Sequence, residues 1–194
     1  MGHQSPPELL VLHAVRLKGF ADTAAIAARF VLDLDQTQEE LLDAQAVGWV
    51  TRSAFADLVG WSLSEAGRRR NEAQLRDELD LVDARDRVAA LHDEFLPFNT
   101  RATEAFTAWQ LEPGFPDGVH RELGDLARAL DDLERSLTTQ LSRFGGYHDR
   151  FSGALARARH DPVWITGMEV DSCHRVWFEL HEDFIATLGL RRGA

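Results

Sequence analysis

Lysine is almost missing from this chain: Lys18 stands alone beside 20 arginines, and 32 acidic residues outnumber the 21 basic ones. The net charge of −11 excludes broad, sequence-independent affinity for nucleic acid, which rests on counterion release by clustered cations. It leaves room for a local basic face. Cysteine is as scarce. Cys173 is the only one, which excludes an internal disulfide and a Cys-rich zinc site and suits a reducing compartment. No apolar run approaches the roughly 18–20 residues of a membrane span. Met1 to Pro7 has neither a basic start nor a continuous apolar stretch, so no secretory signal is expected and the cytoplasm is the expected location. Also missing are a Gly-rich phosphate loop, a G-x-S-x-G elbow, an HExxH pair and a Glu-x-x-His pair. Cys173 and His174 are adjacent, and neighbours on a helix point about 100° apart, so they do not form a nucleophile–base dyad by spacing. Neither an enzyme nor a cofactor is expected.

What is present is an ordinary globular composition, 44% hydrophobic and 27% charged, long enough for one large domain or two small ones. Leu9, Leu10, Leu12, Val15 and Leu17 form a helical stripe that stops at Lys18-Gly19, a cation followed by a C-cap glycine. Asp22 or Thr23 can cap a second helix carrying Ile26, Ala27, Phe30 and Val31. Asp35 and Thr37 are both N-cap candidates for a third helix, Thr37 and Glu40 fit a capping box, and Leu41, Ala44 and Val47 follow as its buried stripe up to Gly48. The period then changes. Trp49 to Arg52 and Val59 to Leu63 read as two short strands, and Ser64 caps a helix that opens on Glu65 and runs into Arg68, Arg69 and Arg70.

Three helices and a hairpin within about 60 residues follow the winged helix-turn-helix plan. The run Leu41-x-x-Ala44-Gln45-x-x-Gly48-Trp49-Val50-Thr51-Arg52, followed by Trp61-Ser62-Leu63-Ser64-Glu65-Ala66-Gly67-Arg68, resembles the recognition helix, wing and next helix of MarR-type regulators. The resemblance covers about a third of the chain. It implies a regulator that binds DNA as a homodimer and dimerises through helices outside the winged helix.

From Ser64 onward the pattern is helical: Glu65 to Leu79, then Leu81 to Gln110 with Pro97 expected to kink or break it. Glu112 to Gly118 reads as a loop. Leu123, Leu126, Leu130, Leu133, Leu137 and Leu141 stripe a helix from Val119 to Phe144, and helices over 148–160 and 171–188 complete the chain. The fold class is thus mainly α, with a winged helix-turn-helix domain over 1–76, including a small β-hairpin wing, and an α-helical domain over 77–194.

Two functional readings follow. In the first, Thr37 and Gln38 read bases while Arg52, Arg68, Arg69 and Arg70 hold phosphates. Against it, Leu34 to Val50 carries Asp35, Glu39, Glu40 and Asp43 and no cation, and the wing tip from Ser53 to Leu58 carries no lysine or arginine. In the second, the chain is a non-DNA-binding adaptor or regulatory subunit whose winged helix holds a protein partner, a metabolic enzyme being one candidate. The helical domain offers a candidate effector pocket for a small anionic or aromatic molecule, lined by Arg143, Tyr147, Arg150, His174, Trp177 and His181. The competing assignment is packing, with Trp164 and Trp177 as anchors and the arginines paired with acids of the last helix. Cys173, Trp177, Leu180 and Phe184 are expected to form that helix's buried stripe, with Glu179 and Asp183 pointing the other way. His174 and His181 lie two turns apart, about 10 Å along the axis, too far to share a metal ion readily.

Overall fold

The computed structural model describes residues 2–55, 58–111 and 116–190. Over these residues the protein is mainly helical, with a single two-stranded antiparallel hairpin. It divides into two compact units: Gln4–Asp83 with the residues from Ile185 onward, and Ala84–Phe184 with the residues up to His3. The division falls in a turn where Asp83 has φ 51°. Residue 76, the expected boundary, lies inside a helix.

In the first unit α1 (Pro7–Lys18) opens on proline, which has no N–H to leave unpaired, and ends at Gly19, whose φ of 74° returns its N–H to the Val15 carbonyl. Asp22 caps α2 (Thr23–Arg29) by accepting from the Ala25 N–H at 2.8 Å. Asp33 caps α3 (Leu34–Ala46), accepting from the Gln36 N–H at 2.9 Å. This corrects the expected caps Asp35 and Thr37. With the helix starting earlier, Thr37 falls on the same stripe as Leu41 and Ala44 and is buried.

Strands β1 (Val50–Phe55) and β2 (Leu58–Leu63) pair Val50 with Leu63 and Arg52 with Trp61. The turn before α2 adds a single bridge, Ala21 to Trp61. Val11, Leu12, Val15, Ile26, Leu41, Ala44, Val50 and Trp61 form the core beneath. Ser64 then locks hairpin to helix. Its hydroxyl donates to the Gly48 carbonyl at 2.6 Å and accepts from the Gly67 N–H at 3.0 Å, starting α4 (Glu65–Leu81).

The second unit begins with α5 (Arg85–Leu111), which continues through Pro97 and corrects the expected break there. Val88, Leu91, Phe95, Ala102, Ala105, Phe106 and Trp109 line its buried side, enough packing to hold a helix that lacks one hydrogen bond. Residues 112–115 of the expected loop lie outside the described residues, and α6 begins at Pro116 (Pro116–Thr138). The leucine stripe is buried along its length. The helix stops at Thr138 rather than Phe144: the Thr138 and Thr139 hydroxyls turn back onto carbonyls of the last turn, and the next residues bond to His3. A 3₁₀ turn (Ser142–Phe144) leads to α7 (Tyr147–Ala158), whose first amides are capped by Glu134. The short α8 (Val163–Thr166) and α9 (Cys173–Leu188) follow.

Candidate functional site

Two places concentrate the sequence-derived candidates: the outer surface of α3 with the hairpin, and α9 with its neighbours. On α3, Thr37 is 1% exposed and its hydroxyl donates to the Asp33 carbonyl at 2.6 Å. It cannot meet a base edge. Gln38 is half-buried, and its Oε1 accepts from the Thr23 hydroxyl at 2.8 Å, which in turn accepts from the Trp61 indole at 3.1 Å. This relay ties α3, α2 and β2 together.

Opposite the buried stripe, the outward arc of α3 reads Leu42, Asp35, Ala46, Glu39, Asp43 around the helix, all exposed. Glu40 lies at the edge of this arc. Partial burial raises its pKa above the usual carboxylate range, and the charges of Glu8, Asp43 and Glu39 push the same way. Leu34 and Val47 are exposed at the two ends of the helix and Leu58 and Val59 on the hairpin. Of the hairpin tip, Ala56, Asp57 and the Phe55 side chain lie outside the described residues.

The four candidate phosphate contacts are not equivalent. Arg52 is exposed with its guanidinium 5.5 Å from the Trp61 ring centre. Arg69 pairs with Glu65 at 3.2 Å, one turn away. Arg70 pairs with Glu8 at 3.3 Å and lies over Trp49. Arg68 is exposed and has no ion pair among the described residues.

Around α9 the six expected pocket residues separate onto two sides of the helix. Arg143 donates to Asp183 at 2.6 Å with both side chains fully buried, and the Tyr147 hydroxyl donates to the other Asp183 oxygen at 2.8 Å. Arg150 forms a two-pronged pair with Asp171, both contacts 2.7 Å, and reaches Glu179 at 2.7 Å. Burial alone would lower the Arg150 pKa, but the hydrogen bonds and charges of Asp171 and Glu179 raise it further above its ordinary value. Glu179 and Asp183 do face away from the aromatic stripe, but both are buried against arginines rather than in solvent. Arg143 and Arg150 are thus paired with acids inside the fold, while Arg150 Nη1 keeps no hydrogen-bond partner among the described residues.

His174, Trp177 and His181 do come together, with Phe178, on the side of α9 that faces α5. There they line an open cleft of about 260 Å³, just below the roughly 300–1,000 Å³ of small-molecule sites. The opposite wall is Asn99, Thr103, Phe106, Thr107 and Gln110 of α5. Sequence reasoning missed this wall. The sequence carries only the fact that 99, 103, 106, 107 and 110 share one helix face, mostly polar, which by itself reads as a solvent face. The Trp177 indole donates to Asn99 Oδ1 at 3.0 Å. The Phe106 ring meets the His174 imidazole edge-on, with centroids 5.1 Å apart. His174 Nδ1 is buried and has no hydrogen-bond partner among the described residues, an arrangement that costs about 1–3 kcal/mol when no water or ligand serves it. Burial holds the His174 pKa below the ordinary histidine value, so the imidazole is neutral at pH 7.

The Cys173 thiol is buried behind this cleft and donates to the Phe151 carbonyl at 3.7 Å. Burial pushes its pKa up to about 12, so essentially no thiolate exists at pH 7. A thiol reagent such as dithionitrobenzoate is therefore expected to leave the native protein unlabelled and to label it stoichiometrically in denaturant. Rapid labelling of the native state would refute this placement of Cys173. Among the described residues no three His, Cys, Asp or Glu side chains converge as metal ligands, and no helix is long and apolar enough to cross a membrane. Comparisons with family models, with curated proteins and with solved structures find no match to this chain.

Proposed function

We propose that residues 7–81 form a winged helix that serves as a protein-contact module, the chain acting as an adaptor or regulatory subunit rather than as an enzyme. The element order, the Ala21–Trp61 bridge beside the hairpin and the Ser64 cap support the winged-helix reading. One observation carries the choice of partner: the outward arc of α3, which would enter a DNA groove, presents Leu42 among Asp35, Glu39 and Asp43 without a cation. Each of these acids would oppose a phosphate backbone, whereas a protein surface with arginines or lysines around an apolar pocket would complement the whole arc.

A dimeric DNA-binding regulator is the second reading. The exposed guanidinium of Arg68, without an ion pair among the described residues, favours it.

One pair of measurements separates them. Fluorescence anisotropy with duplex DNA from the protein's own upstream region, at low salt, is expected to show no salt-dependent binding. Affinity purification from the native cells is expected to bring down one defined protein in stoichiometric amount with the wild type and to lose it with Leu42→Lys/Glu39→Lys. Salt-dependent DNA binding that disappears in Arg68→Ala would overturn the adaptor reading and restore the regulator.

A further inference from the structure

The cleft between α5 and α9 has a chemistry of its own, independent of what the winged helix contacts. Its walls are Phe106, Trp177 and Phe178, apolar surfaces spaced around an open slot. Its polar groups are amides, hydroxyls and the imidazoles of His174 and His181, with no permanently charged side chain among them. Asn99 has its carbonyl oxygen committed to the Trp177 indole, so its NH₂ end remains as a donor. His174 keeps a buried ring nitrogen without a partner among the described residues. Thr107 and Gln110 stand exposed at the rim. No arginine, lysine, aspartate or glutamate lines the cleft.

The geometry points to a binding site for an uncharged, planar heteroaromatic molecule bearing an amide-like edge, with the ring held between the aromatic walls. Three features select this class. A volume of about 260 Å³ suits one or two fused rings and not a dinucleotide. Asn99 on one wall and His174 on the other each keep a hydrogen-bonding group without a partner among the described residues, so a ligand carrying both a donor and an acceptor matches the pair. No arginine or lysine lines the cleft, so a carboxylate has no permanent cation to offset its lost hydration.

Nicotinamide and nicotinate test the assignment, because they share a ring and differ in amide against carboxylate; adenine is a second neutral probe. Full-length protein labelled with nitrogen-15 at histidine is titrated with each, the His174 imidazole being identified by its loss in His174→Gln. Nicotinamide or adenine is expected to shift the His174 resonances saturably, at millimolar concentration or below. Nicotinate is expected to bind at least about tenfold more weakly, the equivalent of ~1.4 kcal/mol. Thr107→Trp fills the slot from an exposed helical position, and Gln110→Arg places a charge at its rim. The first is expected to abolish the shift without lowering the melting temperature, and the second to narrow the preference against nicotinate. The inference is overturned if neither neutral probe shifts His174, if nicotinate binds as well as nicotinamide, or if binding survives Thr107→Trp.

Discussion

Replacing Asp183 by alanine is expected to destabilise the helical unit by about 3–5 kcal/mol, the cost of stranding a buried charge. Arg143 and Asp183 are both fully buried and 2.6 Å apart, so the guanidinium has no route to water when its partner is removed. Tyr147 loses the shorter of its hydrogen bonds in the same step and keeps the 3.5 Å one to the Glu179 carbonyl. Calorimetry should show a fall in melting temperature on the order of 10 °C for a chain of this size. Two companions make the attribution specific. Tyr147→Phe removes a hydrogen bond to a charged group without exposing a charge, and should cost about 1.5–3 kcal/mol. Arg143→Met/Asp183→Leu removes both charges and should recover most of the loss, because well-packed apolar pairs replace buried ion pairs at little cost. A shift below about 2 °C for Asp183→Ala would show that the pair is not buried as described.

Gly67→Ala is expected to be the most damaging small change in the N-terminal unit. Within a helix this substitution ordinarily stabilises by roughly 1 kcal/mol. Here the added Cβ would lie 1.9 Å from the Trp49 carbonyl oxygen and 2.7 Å from its carbon, both backbone atoms. That carbonyl accepts from the Ser64 N–H at 2.9 Å, so moving it aside breaks the bond that joins the hairpin to α4. A loss of at least about 2–3 kcal/mol follows from such overpacking. Gly153 in α7 is the natural control, since a Cβ there meets nothing within 4 Å and Gly153→Ala should gain up to about 1 kcal/mol. Urea unfolding of both variants checks the opposite signs; a neutral or stabilising Gly67→Ala would sink the close approach.

Sequence and structure agree best where the determinant is local. Gly19 ends α1, Ser64 caps α4 and the leucines of α6 turn inward because a cap or a stripe needs only residues a turn away. Where neighbouring candidates competed, tertiary context decided. Asp33 outcompetes Asp35 and Thr37 as the α3 cap, and Pro97 is carried through α5 by packing along the helix's buried side. The candidate site divides for a related reason. Arg143, Arg150 and the α9 acids each had visible faces, but which charge met which depended on how the segments pack, and periodicity does not encode that packing. The α5 wall of the cleft was hidden differently: its polar residues look like an ordinary solvent face until Trp177 and His174 are laid against them.

Pro97 also bears on how the cleft breathes. A proline within a helix removes one rung of the backbone ladder and softens bending there. In α5 that missing rung falls just before Asn99, the first residue of the cleft wall, and just after Phe95, which is anchored among Trp177, His181 and Phe184. The stretch from Asn99 to Gln110, one wall of the cleft, thus begins two residues past the point in α5 where the ladder has no donor, and a bend at that point would change the width of the slot.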